Sequence, residues 1–168
     1  MKAYSVLLAL VVAIPAGAQS LPSARTSAHE LWMTSDSYIA DAAEQVPEAR
    51  YGFKPTPEVR SFGEVVLHVA SAHYLLCGIV LGEKEKELGK LTAKADLVAA
   101  LKTSIQYCEG AYAISDADAM LPATVFEQPR TKLHALMTNA WHDNEHYGNI
   151  ATYMRLMGMV PPSSQPKK

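Results

Sequence analysis

Residues 61–77 read SFGEVVLHVASAHYLLC, and this stretch decides the fold class. Ser61 is followed by Glu64 at the spacing of a capping box, which is typical of the start of a helix. From residue 62 onward apolar residues recur at three- and four-residue steps, and the remaining faces are largely apolar too. A helix that is apolar on most sides is usually buried among neighbours. The segment therefore predicts the central helix of a helical bundle.

The same periodicity extends this helix to residue 81 and predicts three more, over residues 27–46, 93–115 and 131–158. Residues 47–60 contain three prolines and a glycine, which exclude a continuous helix. The segment 116–130, with Pro122 and Pro129, indicates an irregular connection, and no strand is predicted. The predicted fold class is all-α: a four-helix bundle over residues 27–160, followed by a polar tail over residues 161–168.

The chain begins with the features of a secretory signal peptide. Lys2 supplies a positive start, an apolar run follows, and the small residues AGA end at Ala18. We expect cleavage after Ala18, so that residues 1–18 are removed and the protein is secreted or periplasmic. We expect no later membrane-spanning segment and no membrane partner in the mature form. The net charge of −2 gives no reason to expect a nucleic-acid partner.

Two cysteines lie on what the periodicity predicts to be consecutive helices. If those helices form a simple antiparallel hairpin centred near residue 88, Cys77 lies level with residue 100 rather than with Cys108. The axial offset of about 12 Å, at 1.5 Å per residue, exceeds the reach of a disulfide. The sequence therefore favours two buried free thiols over a disulfide.

Residues 142–146 read HDNEH and place two histidines on one helix face, about 40° apart. His142 and His146 are thus well spaced to grip one metal ion. The pattern resembles the zinc-protease motif H-E-x-x-H, but Asp143 stands where the glutamate base should be. No His, Asp, Glu or Cys follows Tyr147. A third protein ligand must therefore come from upstream.

The upstream donors are few. His29 is near the start of the first helix, and His134 is badly placed on the same helix as the pair, about 12 Å away along the axis. His68 and His73 lie on the second helix about 140° apart, and periodicity alone does not choose between them. His73 falls in the main apolar stripe, where a core histidine bonded to a carbonyl is the simplest interpretation.

The stretch at residues 61–77, together with NAWHDNEHYGNIATYMRLMGMVPPSS at residues 139–164, resembles the DinB (DinB/YfiT-like) superfamily of metal-binding four-helix bundles. The shared motifs are a histidine in the second helix and a His-x-x-x-His followed by Tyr-Gly in the last long helix. The resemblance implies that His68, His142 and His146 bind one divalent metal ion, zinc first, with nickel or iron as alternatives. It also implies a homodimer, because many members dimerise.

Three histidine ligands leave a coordination position open, as in catalytic rather than structural metal sites. We therefore expect a metal-dependent enzyme acting on a small molecule. Hydrolysis is favoured slightly over thiol-dependent transfer, because the family's cofactor thiols are mainly cytosolic. The alternative is a non-catalytic metal-binding or stress-related bundle. No catalytic residue is assigned: the candidates for proton handling are Glu64, Asp143, Glu145 and Tyr153.

The export hypothesis predicts a mature N-terminus at Gln19. Mass spectrometry of protein purified from its native host would measure this directly. An intact Met1 on protein recovered from the cytosol would contradict export and would restore the thiol-transfer alternative.

Overall fold

The computed structural model describes residues 21–166, so the predicted signal peptide lies outside the described residues. Four long helices make up most of the structure: α1 (Ala24–Gln45), α2 (Phe62–Leu81), α3 (Lys94–Tyr112) and α5 (Lys132–Leu156). A single-turn helix, α4 (Asp116–Ala119), and two strands, β1 (Pro122–Val125) and β2 (Gln128–Thr131), connect α3 to α5. The prediction of an all-α four-helix bundle is confirmed, with each long helix within three residues of its predicted ends.

Helix α2 begins as its sequence predicts. The Ser61 hydroxyl accepts the backbone N–H of Glu64, and the Glu64 carboxylate accepts the backbone N–H of Ser61 at 2.6 Å. The helix has the length and composition of a membrane-spanning segment, which we did not expect, with a mean hydropathy of 1.7. In this structure 61% of that apolar window is buried inside the bundle. A core helix has the same composition as a membrane helix because both lack contact with water.

The helices α2 and α3 run parallel rather than antiparallel. At one end, Leu97 Cδ1 lies 3.2 Å from where a Cβ on Gly63 would stand, and at the other end Cys77 pairs with Cys108. The connection over residues 82–93 must therefore return along most of the bundle, a distance of about 27 Å at the helical rise. Twelve residues in extended conformation span up to about 40 Å, which is enough.

This parallel arrangement corrects the prediction of two free thiols. Cys77 and Cys108 form a disulfide, with their Cα atoms 5.3 Å apart. The hairpin assumption placed Cys77 level with residue 100, whereas the long return connection reverses the direction of α3 and brings Cys108 level with Cys77. The error was one of topology rather than of helix boundaries.

The connection before α5 also differs from the prediction, because it contains a β-hairpin. Residues Pro122–Val125 pair antiparallel with Gln128–Thr131. The two-residue turn is formed by Phe126 and Glu127, both with positive φ (48° and 62°). Such turns usually carry Asn or Gly, so this sequence lacks the usual hairpin signal. Both strands also contain proline, which is tolerated because a two-stranded ribbon consists of edges alone.

The helix pairs determine where side chains can meet. Helix α1 packs against α3 and α5, and α2 packs against the same two helices, so α1 and α2 occupy opposite corners. Helices α5 and α2 run antiparallel, because Tyr153 near the end of α5 bonds to Arg60 just before α2. The predicted polar tail begins by folding back on the bundle, where Tyr147 on α5 donates to the Ser163 hydroxyl at 2.7 Å.

The disulfide yields a stability prediction. The two cysteines are 31 positions apart in the sequence. For a loop of that length, loop entropy predicts that the disulfide adds about 3–4 kcal/mol to the free energy of unfolding. Denaturant unfolding with and without reductant should show a loss of that order. The double variant Cys77→Ala/Cys108→Ala is the control and should not respond to reductant. Two titratable thiols in protein purified without reductant would contradict the pairing.

Candidate metal centre

The antiparallel packing of α2 on α5 brings three imidazoles together. His68 Nε2 lies 3.1 Å from His142 Nε2. The ring centroids of His142 and His146, one turn apart on α5, are separated by 4.4 Å, and the ring of His68 lies 5.0 and 4.7 Å from them. One nitrogen from each residue lies within 4.8 Å of the other two. The three histidines named from the sequence therefore converge on one point.

The donor set fits a divalent metal ion. Imidazole nitrogens lie about 2.0–2.1 Å from zinc, so two of them on a tetrahedral ion are about 3.3 Å apart. The separation of 3.1 Å between His68 and His142 is close to that value. The group could hold a metal ion, and imidazole ligands suit zinc, nickel and iron alike.

The environment keeps two of these imidazoles, those of His68 and His146, in the neutral form that can bind metal. Burial, the nearby Arg60 charge and the other two imidazoles lower the pKa of His68 to about 4. Burial and His142 also lower the pKa of His146. A histidine with a lowered pKa is neutral at every pH above that value, and only the neutral ring has a free lone pair. Both rings are therefore neutral at pH 7.

A buried carboxylate holds the third ring in position. Asp143 is fully buried, and its Oδ1 lies 3.2 Å from His142 Nδ1. A carboxylate accepts hydrogen bonds, so the ring proton of His142 is placed on Nδ1 and the lone pair is left on Nε2. That nitrogen is the one that faces His68. A carboxylate behind a ligating histidine is a common way to fix its orientation.

The other oxygen of Asp143 binds His73, which is also fully buried. Oδ2 lies 2.8 Å from His73 Nε2, and His73 Nδ1 lies 2.9 Å from Ser104 Oγ. The Ser104 hydroxyl gives its own proton to the carbonyl of Leu101 at 2.8 Å, so it accepts from His73. Both ring nitrogens of His73 therefore donate, and the ring is an imidazolium. Its main partner is a carboxylate rather than the carbonyl expected from the sequence.

The ionisation of this pair follows from opposing forces. Burial lowers the pKa of His73, but the charge and hydrogen bond of Asp143, with help from Asp36, raise it above its ordinary value. Burial raises the pKa of Asp143, and the facing His73 outweighs this and lowers it. Asp36 Oδ1 lies farther from His73 Nε2, at 3.6 Å. Its pKa is raised to about 7, mainly by burial.

Asp36, His73 and Asp143 form a second group whose potential ligand atoms lie within 4.8 Å of one another. This buried His/Asp group could also hold a metal ion by distance alone. Asp36 was not predicted from the sequence to be a site residue. Its position could have indicated this, because Asp36 lies one turn before Ile39 and one turn after Trp32. Helical periodicity therefore places this charged residue on the same buried face as those two apolar residues.

The four residues proposed from the sequence for proton handling have different surroundings. The Glu64 carboxylate caps α2 and pairs with Lys54 at 3.1 Å, so it is engaged at the start of the helix rather than with His68. Glu145 is exposed. Tyr153 donates its hydroxyl to the carbonyl of Arg60 at 3.0 Å. Asp143, which is buried behind His142, is the candidate that contacts one of the three imidazoles.

Two other histidines lie outside the site. His29 Nε2 is 3.0 Å from Glu109 Oε2 between α1 and α3, and His134 is exposed near the start of α5. On α5, the ring of Tyr147 stacks on Tyr38 with 5.0 Å between centroids, so it serves packing. No neighbouring helix comes within 4 Å of the Cβ position of Gly148, so this glycine is not a point of close helix approach.

A cavity of about 540 Å³ opens beside the third imidazole. Seven residues line it: Glu58, Val59, Arg60, Val65, His146, Asn149 and Tyr153. A similar volume of about 520 Å³ lies in an apolar groove between α1 and α5, but none of the three histidines lines that groove. The cavity beside His146 is therefore the one that a molecule bound at the imidazoles would occupy.

The comparisons with known proteins agree with this architecture. The family model of the DinB superfamily matches residues 34–150. A DinB-like protein from Bacillus cereus ATCC 10987 has a TM-score of 0.70 at 17% identity, covering 80% of this chain and 93% of that chain. The DinB-like protein YjoA from Bacillus subtilis has a TM-score of 0.66 at 18% identity, with coverages of 84% and 99%.

A third structure, of a conserved protein from Enterococcus faecalis, has a TM-score of 0.66 at 14% identity, covering 79% of this chain and 96% of that chain. Identities this low establish a shared fold and nothing more. No curated protein sequence matches the chain.

The Asp143–His142 contact yields a prediction. Asp143→Asn keeps the size of the side chain but removes its charge, so His142 loses its tautomer control and metal affinity should fall about 10- to 100-fold. Competition with a chromophoric chelator measures the affinity, and ¹⁵N NMR of the imidazoles reports the tautomer. Glu145→Gln, an exposed change on the same helix, is the control. Wild-type affinity in Asp143→Asn would contradict the role.

Proposed function

The chain belongs to the DinB superfamily, and we propose that it is an exported metal-dependent enzyme that holds one divalent ion, zinc first, through His68, His142 and His146. The observation that carries the proposal is the convergence of these three imidazoles beside a cavity of about 540 Å³. Three protein ligands leave at least one coordination position for water or substrate. The cavity gives a small molecule room to reach it.

The protein supplies the frame and the surroundings for this chemistry. When bound, a divalent ion acts as a Lewis acid and lowers the pKa of a water or thiol beside it. Asp143 orients His142, while burial and Arg60 keep His68 neutral. Asn149 lies beside the third ligand, with its amide nitrogen 3.3 Å from His146 Nδ1. These residues position the ligands, and none is assigned a proton transfer.

Export supports water rather than a cofactor thiol as the nucleophile. The predicted signal peptide and the Cys77–Cys108 disulfide both favour an oxidising compartment, where small cytosolic thiols are scarce. Hydrolysis is therefore favoured slightly over thiol transfer. The homodimer that the resemblance implies stays a prediction.

One observation favours a second candidate, a metal-binding bundle without turnover. Asp143 is the carboxylate that contacts His142, but both of its oxygens are engaged, one by His142 and one by His73. It is therefore not free to act as a general base. Glu58 is the carboxylate that lines the cavity, on the loop before α2.

The metal proposal is tested by metal content. Wild-type protein should hold about one divalent ion per chain. His68→Ala, His142→Ala and His146→Ala should each weaken binding by orders of magnitude, because each removes one of three ligands. The control is His134→Ala, which changes an exposed histidine on the same helix as two of the ligands and should keep its metal. Retention of wild-type metal affinity by all three ligand variants would overturn the proposal.

Hydrolysis is tested with a panel of carboxylic esters and amides, assayed with and without added thiol. Turnover should be lost on chelation and in His142→Ala, and should not require thiol. Activity should also fall on acidification, since protonated imidazoles release the ion. Turnover only with thiol would favour transfer instead. Absence of turnover by the metal-replete protein would favour the binding bundle.

A further inference from the structure

A cationic side chain, that of Arg60, lines the cavity beside His146. Arg60 lies just before α2, and its carbonyl accepts the hydroxyl of Tyr153 at 3.0 Å. Tyr153 is buried and belongs to α5, the helix that carries two of the three imidazoles. This bond fixes the backbone of Arg60 to the same helix as the candidate ligands. The side chain of Arg60 is exposed and lines the cavity together with His146.

Three basic groups of the described chain are paired with a carboxylate, whereas Arg60 lines the cavity without such a partner. Arg25 pairs with Asp116, Lys54 with Glu64 and Lys102 with Glu44. For Arg60 the structure gives no carboxylate within ion-pair distance among residues 21–166. Its charge nevertheless reaches the site, since it contributes to lowering the pKa of both His68 and His146. An unpaired guanidinium beside a cavity is well suited to bind an anionic group from outside.

The other residues around the cavity restrict the kind of anion. Glu58 also lines the cavity, and its negative charge offsets that of Arg60, which disfavours a doubly charged group such as phosphate. Val59 and Val65 supply apolar contacts for a hydrocarbon part. The combination fits a monoanion with an apolar body, and a planar carboxylate matches the two parallel N–H donors of a guanidinium.

We propose that this cavity binds a small carboxylate-bearing substrate, with the carboxylate on Arg60 and the reacting end directed toward His68, His142 and His146. The inference rests on the proposed function and narrows its substrate class. It makes Arg60 a specificity-determining residue, separate from the metal ligands. Arg60 discriminates between a carboxylate and its neutral analogue, because a charge-assisted bond to the anion has no equivalent in the neutral molecule.

The test is calorimetric titration of the metal-loaded full-length protein with benzoate and with its neutral analogue benzamide. Benzoate should bind to wild type more tightly than benzamide. Arg60→Gln should weaken benzoate binding about tenfold or more and leave benzamide binding unchanged. Arg50→Gln, which changes an exposed arginine that does not line the cavity, is the matched control and should bind both as wild type does. Glu58→Gln should strengthen benzoate binding.

Two results would overturn the inference: equal benzoate affinity in wild type and Arg60→Gln, or tighter binding of inorganic phosphate than of benzoate. Metal content measured on the same samples separates this inference from the proposed function. If no metal binds, the proposed function fails, while the effect of Arg60→Gln on benzoate affinity is still measurable on the metal-free protein. If wild type and Arg60→Gln both bind metal and have the same affinity for benzoate, only the carboxylate assignment fails.

Discussion

The buried ion pair between His73 and Asp143 is the interaction on which the rest of the structure depends. It joins α2 to α5 at 2.8 Å in a region with no exposure to solvent. Ser104 extends it to α3, and Asp36 brings α1 to within 3.6 Å of the same ring nitrogen. All four long helices therefore meet around one imidazole. Removing either partner of such a pair leaves an uncompensated charge, which typically costs about 3–5 kcal/mol.

This pair also connects the fold to the candidate site. Asp143 can remain ionised in the core because His73 compensates its charge, and the ionised carboxylate then accepts the Nδ1 proton of His142. The tautomer of His142 is thus set through a chain of hydrogen bonds that runs from Ser104 on α3 through His73 to Asp143. The parallel packing of α2 and α3 makes this possible, since it places Ser104 level with His73 as it places Cys108 level with Cys77.

The sequence predicted the helices well because their signals are local. The capping box at Ser61 and Glu64 and the three-to-four-residue periodicity depend on residues one or two turns apart. The disulfide and the hairpin were missed because their signals are not local. The pairing of Cys77 with Cys108 depends on the direction of α3, which periodicity does not encode. The turn at Phe126 and Glu127 takes up positive φ without the residues that usually mark it.

The candidate site was predictable in part for the same reason. The i, i+4 spacing of His142 and His146 is local, but the partner on α2 was ambiguous between His68 and His73 until the resemblance favoured His68. The structure separates these two by burial. His68 is half-buried on the flank that faces the imidazoles of α5, and His73 is fully buried and bonded on both ring nitrogens. A histidine whose nitrogens both donate has no lone pair for a metal.

The position of Asp143 explains why a protease-like pattern does not imply protease chemistry here. It follows His142 directly, so it projects about 100° away from its neighbour around the helix. In H-E-x-x-H proteases the carboxylate at this position acts as the general base. In this chain the carboxylate points into the core, with no exposure to solvent, and both oxygens are bound by imidazoles. The buried imidazolium of His73 stabilises the charged form of Asp143 and opposes its protonation. The same ion pair that joins the helices of the bundle therefore disfavours proton transfer by Asp143. The role left to this carboxylate is to orient the ring of His142.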